Sequence, residues 1–542
     1  MWGGRGRADW REKLWAGLDR PWDVLVVGGG ITGAGILREA SRAGLRALLV
    51  EQRDFAWGTS SRSSKLVHGG LRYLKEGRLR LTRTAVRERE RLVAEGPGLV
   101  ERLGFLLATY EGASPGSLTY RAGLSLYDLL AVRWSHQHYG REDFRMLAPH
   151  IAGRGLRGGF RFGDAQTDDA RLVLRVLQEG LAEGGAALNY AEVTGLVRQR
   201  GRVAGVVLAD RERERSAEVR ARVVINATGA WADRLRGELG APRRIRPLRG
   251  SHITFPAWRF PLAQAVTVSH PRDQRPVFFM PWEGVTLIGT TDVDHAGPLA
   301  DEPAMTAAEL DYLFAAINAE FASLGVGPAD VMASFAGVRP VINTGKADPS
   351  KESRDHAVWD EEGLLTVTGG KLTTFHVMAR DALKAARSHL PPAARAGPAG
   401  RALDAVAPDL PPAAEALDED ARRRLLGRFG ADASALVAAA RPGELAAVPG
   451  VRTLWAELRW AARAEAVRHL DDLLLRRVRL GLLLPDGASG LLPDVRRVCQ
   501  GELGWDDARW ERECDAYLAT WRAAYSIPAA ARAAGSHPAG VR

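Results

Sequence analysis

Cysteine is almost missing from this chain: Cys499 and Cys514 are the only two in 542 residues. A disulfide framework and a CxxC-type zinc ligand set are thereby excluded. The pair is expected to be reduced thiols of a cytosolic chain, a single bridge between them being the only disulfide available. No metal centre is expected. Long apolar runs are missing as well, and no stretch reaches the length that crosses a bilayer. The opening residues, "MWGGRGRADWREKLWAGLDRPW", lack the apolar centre of a secretory signal. Any membrane contact is therefore expected to be peripheral. Lysine is scarce beside arginine, and no internal repeat is visible.

The chain does have the composition of a folded protein, 46% hydrophobic and 26% charged. The length exceeds one ordinary core, so two or three domains are expected. Basic residues outnumber acidic ones, 75 to 65, for a net charge of +10. That excess suits anionic substrates, an anionic membrane surface or nucleic acid; spread thinly over a large surface, it needs no partner at all.

After residue 22 the pattern changes to "DVLVVGGGITGAGILREASRAGLRALLVE": a strand at Asp23–Val27, a glycine turn, a helix to about Arg42 and a strand at Leu45–Val50. "RARVVINATGAWADRL" and "GLLTVTGGKLTTFHVMARDALKAA" repeat the strand, small-residue turn and helix design. Three such pieces, far apart in the chain, predict one discontinuous doubly wound α/β domain. Between them, "SHITFP", "RPVFFMPW" and "GVTLIGTTDVD" alternate as half-buried strands do, which predicts an inserted antiparallel domain. "GLVRQRGRVAGVVLAD" reads as a hairpin turning near Arg200–Arg202. "LPPAARAGPAG" reads as a linker, and the residues beyond it have the periodicity of a helical C-terminal domain. The N-terminal segment, with Trp10, Leu14 and Leu18, reads as a short helix packed on the body or as a membrane-surface anchor.

Gly28-Gly29-Gly30-Ile31-Thr32-Gly33 fits G-x-G-x-x-G and meets the contextual tests: a strand before, a helix after, and Glu51 closing the next strand. Gly28 permits the tight turn, Gly30 lets the backbone approach a pyrophosphate, and Gly33 lets helix and strand pack closely. The helix N-terminus offers N–H groups to phosphate, and Glu51 would accept from ribose hydroxyls. The long polar loop "FAWGTSSRSSKLVHGGLRYL" after Glu51 favours an extended FAD over NAD. Why that loop sets Lys65, His68, Arg72 and Tyr73 around the pair Gly69–Gly70 is the question it raises. Paired glycines admit a bend or a close ligand, and the cations beside them suggest an anion.

"VVGGGITGAG", "TSSRSSKLVHGGLRYL", "DDARLV", "NATGAW", "RGSHI", "IGTTD", "AGVRP", "SRDH" and "TGGKLTTF", in this order, give a chain that resembles the FAD-dependent glycerol-3-phosphate dehydrogenases, flavoproteins of the glycine/D-amino-acid oxidase type. The resemblance implies a Rossmann-like FAD-binding domain at 1–110, 186–240 and 335–390, and a substrate-binding cap at 111–185 and 241–334. It also fits a helical C-terminal domain at 400–527, with a loose tail at 528–542. It implies oxidation of sn-glycerol 3-phosphate to dihydroxyacetone phosphate, with electrons passed to membrane quinone. Arg72, Tyr73, Arg354 and Lys371 are placed at the substrate phosphate or near the flavin. The cofactor would be held by Gly28, Gly30, Ile31, Thr32, Gly33, Glu51 and Gln52. Further contacts come from Thr59, Ser60, Ser61, Ser64, Lys65 and Leu66, then from His68, Gly69 and Gly70. Val193, Ala227, Gly229, Trp231, Gly289 and Arg339 join them, and Gly370, Lys371, Leu372 and Thr373 complete the set.

The reaction asks for cations at a dianion, preferably arginine forks, and for stabilisation of charge that develops on the flavin. A helix opening at Gly369–Thr374 would aim N–H groups at the ring. Arg339 is the residue expected to hold the reacting oxygen, with Lys371 beside it. Arginine stays protonated, so His252 is assigned the role of base, with His68 and His376 as competitors. Two positions depart from the family pattern: Phe375 stands where a tyrosine is common, and His356 follows "SRD" in place of an aromatic residue.

An oxidase producing hydrogen peroxide, and a related flavin enzyme acting on an amino or hydroxy acid, remain open. "RLRLTRTAVRERERL" interleaves acids with its arginines, as a salt-bridged helix does, so no nucleic-acid partner is expected. The expected location is cytoplasmic, at the inner face of the cell membrane against anionic lipid; a homodimer is compatible with the chain.

Overall fold

Aliphatic runs with no polar break build a parallel sheet buried on both faces. In the computed structural model, which describes residues 9–75, 77–112, 116–348, 352, 355–391, 400–407, 409–529 and 531, the strand Trp22–Val27 lies at its centre. It pairs in parallel with Ala47–Val50 on one side and Ser216–Asn226 on the other. Ala186–Leu188 and Leu364–Gly369 extend the two flanks in parallel, and His356–Glu361 closes one edge antiparallel. Helices Ile31–Arg42, Asp169–Ala182 and Phe375–Ala386 bury Ile36, Leu37, Val173, Leu177, Ala379 and Ala382 with the strands. Each fully buried Val or Leu here contributes about 1.5–3 kcal/mol. Against the other face lies the hairpin Ala191–Gln199 and Arg202–Asp210, joined to the sheet through the first residues of Ser216–Asn226 and turning at Arg200 and Gly201 as the hairpin reading predicts.

The second sheet is mostly antiparallel. Ile245–Pro256 pairs along its length with Ala333–Ile342, then with Val285–Gly289. Pro276–Trp282, Ala265–Ser269, Val100–Tyr110 and Leu156–Thr167 continue it. The helix Ala307–Glu320 covers one face through Leu310, Leu313 and Ile317. C-terminal residues cover the other, where Leu458, Leu474 and Leu482 share a core with Trp282, Leu287 and Phe335.

The chain's last part is helical among its described residues, including Glu419–Phe429, Trp455–Ala464, the π-turns Asp472–Arg477, Leu492–Leu503 and Asp507–Ala524. Buried ion pairs tie it to the nucleotide domain. Arg477 Nη1 lies 2.6 Å from Asp54, Arg171 Nη2 lies 2.7 Å from Glu465, and Arg479 reaches Asp168 and Asp169. Charges this deep persist only when paired.

Several expectations shift. Val100–Tyr110, expected in the nucleotide domain, is a strand of the second sheet, and so are Leu66–Val67 and Ala333–Ile342. Asp169–Ala182, expected in the cap, packs on Ile31–Arg42 in the nucleotide core. Its apolar positions share one core with the helix Ile31–Arg42 and the strands, which a strand-and-turn reading does not register. The N-terminal helix Trp10–Ala16 packs on the body: Trp15 is buried, and Arg11 donates to Asp210 and to the carbonyl of Tyr190. Most of the expected linker and tail lies outside the described residues. In Leu79–Glu95, Arg91 pairs with Glu88 and Glu95 while Arg89 pairs with Asp164, the ion-paired helix that the charge pattern predicts.

Candidate active site

Three strand ends of the parallel sheet and one face of the second sheet open onto a single cavity of 1690 Å³. At one end the strand Trp22–Val27 runs into the glycine turn. Gly30 caps the helix Ile31–Arg42, and a Cβ at Gly33 would stand 1.9 Å from the Gly28 carbonyl oxygen, so only glycine lets helix and turn touch. Glu51 leaves its strand with its carboxylate on this turn, accepting from the N–H groups of Gly29 at 2.7 Å and Arg53 at 2.9 Å. Burial pushes its carboxyl above the usual range, against the pull of those two donors. A carboxylate has about four acceptor sites, so capacity remains for hydroxyls. Ser60 Oγ accepts from the Ile31 N–H at 3.0 Å and lies 3.0 Å from where a Gly30 Cβ would point.

The middle and far end answer the question of the paired glycines. A Cβ on Gly69 would meet the Tyr127 hydroxyl at 2.3 Å; Gly70, at φ +78°, would meet the Tyr73 ring at 2.2 Å and Lys371 Nζ at 2.9 Å. The backbone is wedged between side chains on both sides, and the second residue is left-handed. Lys371 Nζ stands 3.7 Å from the centre of the Tyr73 ring, a cation–π contact. Thr373 Oγ accepts from the His68 N–H at 3.1 Å and donates to the His68 carbonyl at 3.2 Å. Two motifs separated by more than half the chain are thus clamped by one hydroxyl.

Arg339 enters from the strand Ala333–Ile342. Its guanidinium donates to Asp292 at 3.0 Å, to Thr290 Oγ1 at 3.0 Å and to the Thr291 carbonyl at 3.4 Å. Arg339, Asp292 and Thr290 all line the cavity.

Among the sequence-predicted residues, the cavity wall includes Gly28, Gly30, Ile31, Thr32, Glu51 and Gln52. It includes Thr59, Ser60, Ser64, Leu66, His68, Gly70 and Tyr73. Val193, Ala227, Gly229, Trp231, Arg339, Gly370, Lys371, Leu372 and Thr373 complete that set. Gly33, Ser61, Lys65, Gly69, Gly289 and His252 are not on the wall. The Lys65 ammonium turns to Asp169, at 2.8 and 2.9 Å, and to the Ser61 carbonyl. Burial and then Arg479 bring its pKa down to about 7 against the pull of Asp169. His252 is fully buried, stacked 4.7 Å from Phe335, and meets Ser64 Oγ at 2.8 Å through Nε2. Burial, Arg339 and Lys65 hold its pKa well below the ordinary histidine value. Its only link to the cavity among these contacts is Ser64. His376 is buried beside Arg91, off the wall. Arg72 lies in the helix Leu71–Lys75; its side chain, and Arg354 entirely, lie outside the described residues.

Both family departures fall away from the wall. Phe375 is core, packed against Gly35, and His356 bonds Asp381 at 2.9 Å. Sequence reasoning took "IGTTD" as a strand end and a family motif but did not single out Thr290 and Asp292, and it missed Asp164, which accepts from the Gly69 N–H at 3.1 Å. Acids in a strand pattern carry no sign of which side chain they meet.

The residues fit FAD. A side-chain-free floor at Gly28 and Gly30, a helix N-terminus and the Glu51 carboxylate share one long cavity with a second glycine turn at Gly369–Gly370. That span suits a dinucleotide extended across the sheet.

Comparison with known proteins agrees. Residues 23–425 match the family described as FAD dependent oxidoreductase, and residues 379–510 match the C-terminal domain of alpha-glycerophosphate oxidase. The chain is 37% identical over 377 residues to the aerobic glycerol-3-phosphate dehydrogenase of Bacillus subtilis, covering 68% of each chain. It is 36% identical to glycerol-3-phosphate dehydrogenase 2 of Mycobacterium tuberculosis, covering 94% of this chain and 90% of that one. The crystal structure of the glycerol-3-phosphate dehydrogenase from Bacillus halodurans, complexed with FAD, superposes with a TM-score of 0.75 at 28% identity, covering 96% of this chain and 98% of that one. With the glycine turns, the acid and the arginine on one cavity wall, these matches show that the chain belongs to the FAD-dependent glycerol-3-phosphate dehydrogenase family.

Proposed function

We propose that the protein oxidises sn-glycerol 3-phosphate to dihydroxyacetone phosphate and hands the electrons to a membrane quinone, at the inner face of the cell membrane. The observation that carries the reading is the shared wall: Arg339, Tyr73 and Lys371 face the same cavity as the Gly28–Thr32 turn and Glu51. FAD, when bound, supplies the electron sink that takes the hydride from the secondary carbon.

The chain's own residues do the rest. Arg339 holds the reacting oxygen and favours the developing alkoxide, its fork oriented by Asp292 and Thr290. The substrate phosphate is assigned to Arg72 and Arg354 with Lys371, the last braced on the Tyr73 ring. The turn Leu372–Thr374 opens the helix Phe375–Ala386, and its N–H end complements negative charge. The hydroxyl proton passes to Ser64 Oγ as that group gives its own proton to His252 Nε2, across the 2.8 Å contact. Burial, Arg339 and Lys65 keep His252 neutral, so Nε2 has a lone pair to offer, and they also make it a weak base that holds the proton only in passing.

The test is a visible spectrum taken anaerobically before and after adding sn-glycerol 3-phosphate. Bleaching by this substrate, and none by glycerol or lactate, is expected. A flavin that stays oxidised refutes the substrate. A second reading, electron transfer to oxygen, draws on the C-terminal match to alpha-glycerophosphate oxidase. Stoichiometric peroxide in air would favour it over quinone.

No helix among the described residues is long and apolar enough to cross a membrane, so the quinone reading calls for contact at the bilayer surface.

A further inference from the structure

The helix Ser117–Ala131 has two unlike sides. Leu124, Tyr127 and Ala131 are buried in the core, and Tyr120, Gly123 and Leu126 line the cavity. The outer side is apolar where water would call for polar groups: Leu118 is 81% exposed and Leu129 70%. Just past the helix end, Val132 is 80% exposed and Trp134 70%. Leu118, Ser125 and Leu129 recur at helical spacing on that outer side. Between Gly116 and Ser135 the exposed charges are Arg121 and Arg133 alone. The one acid there, Asp128, is buried and accepts from the N–H groups of Ser135 and His136.

The geometry points to this face, from Leu118 to Trp134, as the surface that seats the protein on an anionic lipid bilayer. The inference rests on the membrane-quinone reading above and gives it a place on the molecule. Single exposed apolar residues are ordinary, but an apolar stripe rimmed by cations marks an interaction surface. Charge selects the occupant. In a two-fold interface with a second copy the same patch meets itself, setting Arg121 and Arg133 near their own kind with no exposed acid between Gly116 and Ser135 to offset them. Anionic headgroups complement both, Trp134 suits the headgroup level, and the leucines suit the acyl boundary. The contact thereby moves from the N-terminal segment, whose Trp15 is packed on the body, to the helix that forms part of the cavity wall. A lipid-soluble acceptor would then meet the protein beside the cavity that holds Arg339.

Co-sedimentation tests this with the full-length, FAD-loaded protein and phosphatidylcholine vesicles, with or without phosphatidylglycerol. The variants are Leu118→Gln/Leu129→Gln/Trp134→Gln and Arg121→Gln/Arg133→Gln, and none of these residues lines the cavity. The wild type should partition onto the phosphatidylglycerol vesicles. The triple variant should lose about tenfold or more of that partition, and the arginine variant should lose partition together with its salt dependence. Turnover with a soluble dye acceptor should be unchanged in both. Wild-type and triple-variant proteins binding equally would overturn this face while leaving membrane association standing. A wild type that ignores anionic vesicles would overturn both. A dimer that falls to monomers in the triple variant, by light scattering, would assign the face to a second copy and overturn the lipid.

Discussion

Replacing Asp292 by asparagine should slow the chemical step without weakening substrate capture. Asp292 accepts from Arg339 Nη1 at 3.0 Å, and Thr290 Oγ1 accepts from Nη2 at 3.0 Å. A charge-assisted bond contributes about 1.5–3 kcal/mol and a neutral one about 1, so asparagine, which keeps a neutral contact, forfeits about 0.5–2 kcal/mol of orientation. The two side chains are 22% and 11% exposed, and screening favours the lower half of that range. At about 1.4 kcal/mol per tenfold change in rate, kcat should fall roughly two- to eightfold. KM has the opposite tendency. Removing a carboxylate from the wall strengthens the attraction for a dianion, so KM should hold or fall. Steady-state kinetics with a soluble dye acceptor separates the two, with Thr290→Val as a smaller version of the same loss. An unchanged kcat would refute the positioning of Arg339 by Asp292. A raised KM at unchanged kcat would show that Arg339 acts only in ground-state binding.

Gly33→Ala should abolish FAD uptake, because its Cβ falls 1.9 Å from a backbone oxygen that cannot move without opening the turn; the purified variant is expected to be colourless. Thr373→Val removes the hydroxyl that bonds both the His68 N–H and its carbonyl, two bonds of about 1 kcal/mol each, so titration should show FAD binding weakened roughly tenfold. Burial opposes charge on His469, yet its hydrogen bonds to Glu212 and Glu513 push its pKa up to about 10. A pKa raised in the folded state contributes stability below the unfolded value near 6.5 and loses it as pH rises towards 10. His469→Gln should therefore lower Tm clearly at pH 6 and hardly at pH 10, and an equal drop at both would refute the imidazolium clamp.

The local signals were legible because they depend on neighbours in the chain. The turn Gly28–Gly33, the strand before it, the helix after it and Glu51 all follow from residues within a few positions of one another. So does the hairpin at Arg200–Gly201. The helical character of the C-terminal part was equally plain in its periodicity. Domain edges were less so, since a strand such as Val100–Tyr110 looks the same in either sheet until its partner, Leu156–Thr167, is known.

The order of amino acids alone settles the backbone chemistry of this protein: where glycine permits a turn, where a helix N-terminus meets it, and hence that a dinucleotide can lie there. Which side chains meet is settled in three dimensions. Thr373 reaches His68 across 305 positions, His252 reaches Ser64 across 188, and Lys65 turns to Asp169 across 104. A backbone turn is governed by local sterics, which act over a few residues. The aim and the charge of a side chain are governed by whatever the fold packs against it, and the chain order holds no record of that.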